Sequence, residues 1–110
     1  MQGYHGKFLE VDLTNKTTSD LPLSEDFCKT YIGGATMAAA LVYDRVNPDT
    51  DPLAPENPMV MATGPFTGTP IPMVSRYAVA GISPLTGFWG ESTSGGVFPF
   101  RLKGDRKSVV

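Results

Sequence analysis

Glycine and proline recur so often along this chain that a helical bundle is disfavoured from the outset. The 12 glycines and 10 prolines make up a fifth of the 110 residues, against roughly 12% in average usage. Each proline removes a backbone donor and each glycine loosens the chain, so elements must be short and turns frequent. The length supports about one domain, with a core that buries only roughly 60–68% of the surface an unfolded chain exposes. Apolar residues at 41%, with 10% aromatic, are enough to fold rather than stay disordered.

Charge and cysteine content exclude whole classes. Lys and Arg number 9 against 11 Asp and Glu, a net charge of −2, which leaves no electrostatic footprint for nucleic acid. Cys28 has no second cysteine and His5 no second histidine. A disulfide, a four-ligand Cys/His zinc site and an iron–sulfur cluster therefore cannot be built from this chain alone. The stretch from Met1 to Leu13 carries charges throughout and lacks the apolar run of a signal peptide. The uncharged run from Asn57 to Ser75 holds four prolines and cannot be a membrane helix. The expectation is a cytoplasmic chain with no nucleic-acid or membrane partner.

Periodicity places the elements. Lys7 to Leu13 alternates, with Leu9, Val11 and Leu13 as the apolar face of a half-buried strand and Phe8 as the one break. Thr14-Asn15-Lys16 reads as a tight turn with positive φ at Asn15, and Thr17 to Leu21 as the hairpin partner. Ser24 before Glu25 and Asp26 reads as a helix cap with acids in the first turn, and Phe27, Cys28 and Tyr31 share the buried face. Gly33-Gly34 ends or bends that helix. Ala35 to Val46 follows as a second helix, with Met37, Leu41 and Val42 on one side and a small Ala38-Ala39-Ala40 face suited to close approach on a sheet. Asn47 to Pro58, with four prolines, reads as a structured loop rather than a domain linker. Met59 to Thr63, Arg76 to Ile82 and Phe88 to Thr93 are strand candidates. The turns between them, Gly64-Pro-Phe-Thr-Gly68 and Ser83-Pro-Leu-Thr-Gly87, echo each other, and both are expected to connect strands sharply. Hairpin, two short helices and β-meander make an α+β, β-rich domain.

Glu91-Ser-Thr-Ser-Gly-Gly96 is the stretch best suited to chemistry. It follows a strand and precedes Val97 to Lys103, one or two helical turns long. Ser94, Gly95 and Gly96 leave backbone N–H groups uncovered at a strand-to-helix turn, a geometry that cradles phosphate. A glycine turn with a serine cap is the plainer alternative. Arg76 is the second candidate, the only charged residue between Glu56 and Glu91. A guanidinium in apolar surroundings is costly unless paired, and phosphate is a good bidentate partner; pairing with Glu91 across the sheet is the alternative. His5 reads as a surface or capping residue and Cys28 as a small core residue. Phe66, Phe88 and Trp89 read as core packing or a buried interface, since no basic groove accompanies them. Asp44, Asp49, Asp51 and Glu56 lack the alternation of a calcium loop, so a solvated acidic loop is favoured. No paired-carboxylate, Ser-His-Asp or Walker pattern offers a catalytic residue or a side-chain metal site.

The order of the motifs says more. Gly6-Lys-Phe-Leu-Glu-Val-Asp-Leu-Thr, Tyr31-Ile-Gly-Gly, Asp51-Pro-Leu-Ala-Pro-Glu-Asn, Thr63-Gly-Pro-Phe-Thr-Gly-Thr, Ser75-Arg-Tyr, Ser83-Pro-Leu-Thr-Gly-Phe and Ser94-Gly-Gly together resemble the start of the tungsten-containing aldehyde ferredoxin oxidoreductases. Any one of these is weak; seven in order are specific. The resemblance implies the N-terminal domain of that fold, a β-rich base on which a bis-pyranopterin cofactor lies, holding tungsten (molybdenum in some members) through dithiolene sulfurs. It implies that Arg76 contacts a pterin phosphate, and that Thr93, Ser94, Gly95 and Gly96 meet the phosphate and its bridging magnesium through backbone atoms, magnesium at Thr93. It also implies a 4Fe–4S cluster held by cysteines elsewhere in the full-length protein, and oxidation of an aldehyde to a carboxylate with ferredoxin as electron acceptor. A homodimer is compatible with it.

Two positions depart from the family's pattern. Thr93 stands where many relatives have Asn, which a backbone contact tolerates. Pro99 stands where relatives often have Gly, and it fits a helix only in the first turn. The family continues for several hundred residues beyond the length of this chain, and Asp105 to Val110 matches what a sequencing-adapter stretch would encode. The expectation is therefore residues 1–103 as a partial cofactor-cradling domain and 104–110 as a non-native tail of a truncated frame. Such a piece alone would be catalytically inactive, with unpaired strand edges and poor solubility. A stand-alone β-rich anion-binding or interaction module is the alternative.

Overall fold

A computed structural model describes residue 4 and residues 6–54 and 57–104. The readings made for His5, Glu56 and the tail beyond Gly104 lie outside the described residues. Strands β1 (Lys7–Asp12) and β2 (Thr17–Pro22) form an antiparallel hairpin, followed by helices α1 (Glu25–Tyr31) and α2 (Gly34–Arg45). Strands β3 (Val60–Thr63), β4 (Tyr77–Ile82) and β5 (Trp89–Ser94) form an antiparallel sheet in that order, and α3 (Phe98–Gly104) closes the described chain. The expected α+β order of hairpin, helices and meander is the one observed.

The core lies between α2 and the three-stranded sheet. Period two sends Val60, Ala62, Ala78 and Ala80 to one face, where they are buried, and Met37, Ala38, Leu41 and Val42 of α2 are buried as well. Three alanines on the strands and Ala38 on the helix leave little side chain between the two backbones, so α2 can lie close to the sheet. Cys28 of α1 completes the cluster, and burial pushes its thiol pKa up, with Glu25 adding to the shift. A thiol held protonated in this way is a packing group rather than a nucleophile. Ser24 caps α1 as expected, its Oγ accepting from the Phe27 amide at 3.0 Å, and the rings of Phe27 and Tyr31, one turn apart, meet at a tilt of 51° with centroids 5.0 Å apart.

Four expectations need correction. The inward face of β1 is the one carrying Phe8, which is 2% exposed in the core, whereas Leu13 is 83% exposed. Alternation fixes which residues share a face, but the elements that cover the hairpin fix which face is inward. Glu10, two residues from Phe8, reaches Arg45 at the end of α2 at 3.4 Å. In the β1–β2 turn the left-handed residue is Lys16, at φ 55°, not Asn15. Asn15 is engaged elsewhere: the Asp12 carboxylate accepts from the amides of Thr14 (3.0 Å) and Asn15 (3.2 Å) and from Asn15 Nδ2 (2.9 Å).

The break between α1 and α2 falls on Ile32, at φ 65° and ψ −64°, before the glycine pair. The Gly33 amide donates to Tyr31 O at 2.7 Å, which makes Ile32 the centre of a γ-turn, a strained conformation for a β-branched residue. Lastly, only the second of the two echoing turns is sharp. Ser83 and Phe88 close a hairpin, Ser83 N donating to Phe88 O at 2.8 Å. The first opens a long connection from Gly64 to Arg76, because Pro70 and Pro72 keep the following residues from pairing as a strand.

The described residues of the loop after α2 are held by hydrogen bonds. Asp51 Oδ1 accepts from the Leu53 amide at 3.0 Å, and Asn57 Nδ2 bridges Pro52 O (2.9 Å) and Ile82 O (3.1 Å). No helix among the described residues is long and apolar enough to cross a membrane.

Candidate anion site at one end of the sheet

β3 runs toward Thr63, β4 starts at Tyr77 and β5 ends at Ser94. The pairs Thr63↔Tyr77 and Tyr77↔Ser94 therefore bring three chain ends together at one end of the sheet. Arg76 stands just before β4 and Gly95-Gly96 just after β5, so register alone makes them neighbours. Ser75 fastens them, its Oγ donating to Gly96 O at 2.6 Å. Gly96 sits at φ 91°, a conformation that L side chains rarely adopt and that leaves the backbone uncovered.

Two adjoining grooves meet at Arg76. One, of about 680 Å³, is lined by Arg76, Gly95 and Gly96 together with apolar Ile71, Met73 and Phe100. The other, of about 360 Å³, is lined by Arg76 and Thr93 with Gly33, Gly34 and Gly64. The site residues expected from sequence are thus brought together, apart from Ser94, which is held in the ladder opposite Tyr77 and lines neither groove. The cross-sheet pairing of Arg76 with Glu91 does not occur. Glu91 lies opposite Ala80, well along the strand from Arg76, and its carboxylate accepts from Trp89 Nε1 at 3.0 Å. Among the described residues no carboxylate pairs with the Arg76 guanidinium.

The apolar lining is open to solvent. Met73 is 98% exposed at a positive φ of 64°. Phe66, Phe88 and Trp89, expected in the core or an interface, are not in the core: all three are exposed. They sit in or beside turns at the ends of the sheet. No group of three or more His, Cys, Asp or Glu among the described residues could hold a metal ion.

Several residues that build the site are not candidates for it in the sequence. Gly33 packs against the exit of β3 so closely that a Cβ there would lie 3.0 Å from Gly64 Cα, 3.1 Å from Thr63 O and 3.2 Å from Pro65 Cδ. Thr67, 4% exposed, accepts from the Gly64 amide at 3.2 Å and lies within donating distance of Val74 O (3.3 Å) and Arg76 O (3.4 Å). Lys103 donates to Gly64 O and Pro65 O, both at 2.7 Å, and burial pushes its ammonium pKa below the ordinary value. Pro99 occupies the first turn of α3, where its missing N–H costs no helical bond, and its ring is fully buried.

The family described as "Aldehyde ferredoxin oxidoreductase, N-terminal domain" matches residues 8–108. Among known proteins, a tungsten-containing aldehyde ferredoxin oxidoreductase of Pyrococcus abyssi is 41% identical over 103 residues, covering 94% of this chain and 17% of that protein. An aliphatic sulfonate oxidoreductase, WOR-like subunit, of Pyrococcus furiosus is 37% identical over 71 residues, 62% of this chain and 11% of that protein. Among solved structures, the active-site complex BamBC of benzoyl coenzyme A reductase with 1,5-dienoyl-CoA superposes with a TM-score of 0.94 at 31% identity, over 98% of this chain and 17% of that one. The chain spans about one-sixth of the length of such relatives.

Proposed function

The chain belongs to the aldehyde ferredoxin oxidoreductase N-terminal domain family, and from that premise we propose that the sheet end at Arg76 is the phosphate-contacting part of a tungstopterin base. The observation that carries this reading is the Arg76 guanidinium, paired with no carboxylate of the described chain and set in the same groove as the Gly95-Gly96 backbone. A charge-assisted, bidentate pair with phosphate is the interaction such a group makes best, and the residues present fit the phosphate part of the cofactor. The 680 Å³ groove, mostly apolar but with Arg76, the hydroxyls of Thr69 and Ser75 and the glycine backbone along it, suits a planar ring system held by its phosphate end.

In this reading Arg76 would bind phosphate, Gly95 and Gly96 would let it approach the backbone, and Thr93 would hold a magnesium ion through its backbone atoms. Relatives sharing this domain are named for an aldehyde, for aliphatic sulfonates and for benzoyl coenzyme A. A domain common to such different substrates suits the holding of a shared group better than the choosing of a substrate. The full-length protein is proposed to oxidise an aldehyde to a carboxylate with ferredoxin as electron acceptor, in the cytoplasm and as a homodimer. The tungsten centre, when bound, supplies the two-electron chemistry; the 4Fe–4S ligands come from outside this chain, whose single cysteine is the buried Cys28.

Titration of the 110-residue chain with inorganic pyrophosphate tests the reading. Arg76→Gln should weaken binding about tenfold or more, the worth of a charge-assisted pair, and the wild-type affinity should fall as salt rises. Equal affinity of the two proteins would refute it.

A further inference from the structure

A lysine in the last turn of a short helix ordinarily points to water and complements the negative end of the dipole. Lys103 does something else. Its ammonium is half-buried and donates to the carbonyl oxygens of two successive residues, Gly64 and Pro65, each at 2.7 Å. Two neighbouring carbonyls converge on one nitrogen only where the chain turns, and this is the point where β3 leaves the sheet.

The same turn is tied to the other half of the anion site. Thr67 Oγ1 accepts from the Gly64 amide at 3.2 Å and lies 3.4 Å from Arg76 O, so the turn helps to fix the backbone of Arg76. On the other side α3 starts at Phe98, two residues after Gly96, and the Phe98 ring meets Tyr77 edge-on at 5.0 Å between centroids. The β4–β5 register and the Ser75–Gly96 bond make Gly95-Gly96 a neighbour of Arg76, and the anchoring of α3 constrains the glycines from their other side. Lys103 is the anchor at the far end of that helix.

Resting on the phosphate reading of Arg76 and Gly95-Gly96, we propose that Lys103 is a positioning residue for the site. By clamping Gly64 O and Pro65 O it docks α3 on the turn whose Thr67 reaches the Arg76 carbonyl, and so helps to set the separation between the guanidinium and the Gly95-Gly96 backbone. Lys103 touches no anion itself. It acts as a supporting group acts on a ligand-binding one, through fixed geometry.

The test is a pyrophosphate titration of the full 110-residue chain, read by calorimetry and by the ¹H–¹⁵N shifts of the Gly95 and Gly96 amides. Lys103→Met, which keeps the aliphatic stem and removes every donor, should weaken binding roughly tenfold, the usual cost of a lost supporting contact, and should move both glycine amides in the free protein. Lys103→Arg, which can still donate to two carbonyls, should restore affinity to within about twofold. If Lys103→Met fails to fold, Lys103→Gln, with one amide donor group, takes its place and should bind with intermediate affinity.

Wild-type affinity in Lys103→Met or Lys103→Gln, with unmoved glycine amides, would remove Lys103 from the site while Arg76→Gln still marked the site as real. Loss that arginine does not rescue would assign the effect to helix packing rather than to the two carbonyl bonds, and would equally overturn the proposal. A wild-type chain that ignores pyrophosphate, indistinguishable from Arg76→Gln, would refute the phosphate reading and take this inference with it.

Discussion

Two five-residue turns of nearly the same sequence close opposite ends of one three-stranded sheet, yet they do different work. In Ser83-Pro-Leu-Thr-Gly87 every bond is local. Ser83 Oγ accepts from the amides of Leu85 (3.2 Å) and Thr86 (3.3 Å), and Thr86 Oγ1 accepts from Phe88 N at 3.2 Å. In Gly64-Pro-Phe-Thr-Gly68 the first residue has no hydroxyl. Gly33, bare of a side chain, packs against Gly64, and Thr67 turns inward to reach Val74 and Arg76. Both turns end on a glycine at positive φ, 81° at Gly68 and 75° at Gly87. A shared motif thus fixes the local bend, while the first residue and the surrounding elements decide whether the threonine closes its own turn or joins two segments.

The largest expected difference between the two ends is steric. Gly33→Ala places a methyl 3.0–3.2 Å from backbone and proline ring atoms on the exit of β3, none of which can swing aside, and should cost about 3 kcal/mol. Gly90→Ala, at the other end, meets Ser83 Cβ at 3.5 Å, an ordinary contact, and should lie within about 0.5 kcal/mol of wild type. Urea midpoints at unchanged m-value measure both. Equal losses would mean that the crowding at Gly33 relaxes, and that the first turn is no more tightly held than the second.

The threonines come next. Thr67→Val leaves the half-buried Gly64 amide short of its partner, a hydroxyl at a buried position, and should cost about 2 kcal/mol. Thr86→Val exposes Phe88 N to water that can replace the lost bond, and should cost less than about 1 kcal/mol. A Thr86 variant as damaging as the Thr67 one would break the contrast between a cross-link and a local cap. The glycines that end the two turns should behave alike. A methyl added at either would face open space, with nothing beyond its chain neighbours within 4 Å. Gly68→Ala and Gly87→Ala should therefore each cost about 1 kcal/mol, the conformational penalty alone. A clear difference between them would show that the bend itself is not shared.

Much of this was legible in the sequence, because local chemistry set it. Ser24 with its acids gives the α1 cap, alternation gives the strands, and glycine with proline gives both bends. Register then does the rest for the site: once Tyr77 pairs with Ser94, Arg76 and Gly95-Gly96 must be neighbours. What was hidden depends on partners distant in the chain. Phe8 breaks the apolar alternation of its strand, and only the cover supplied by the helices makes its face the inner one. Ile32 has every local reason to avoid φ 65°, and the glycines beside it draw attention away from it. Lys103 looks like any solvated lysine near the end of a helix until the β3 exit is folded against it.

The smallest expected effect separates the two cations at the first end of the sheet. Lys103 is bonded into the fold at 2.7 Å to two carbonyls, whereas Arg76 is exposed and pairs with no carboxylate among the described residues. Arg76→Gln should therefore leave stability within about 0.5 kcal/mol of wild type, even though the same substitution is expected to weaken pyrophosphate binding. A side chain that contributes to affinity and not to stability is one kept for a ligand. A loss above about 1 kcal/mol in the urea midpoint would instead mean that the guanidinium has a structural partner in solution. Arg76 would then belong with Thr67 and Lys103 as part of the scaffold, and Gly95 and Gly96 alone would not make an anion site.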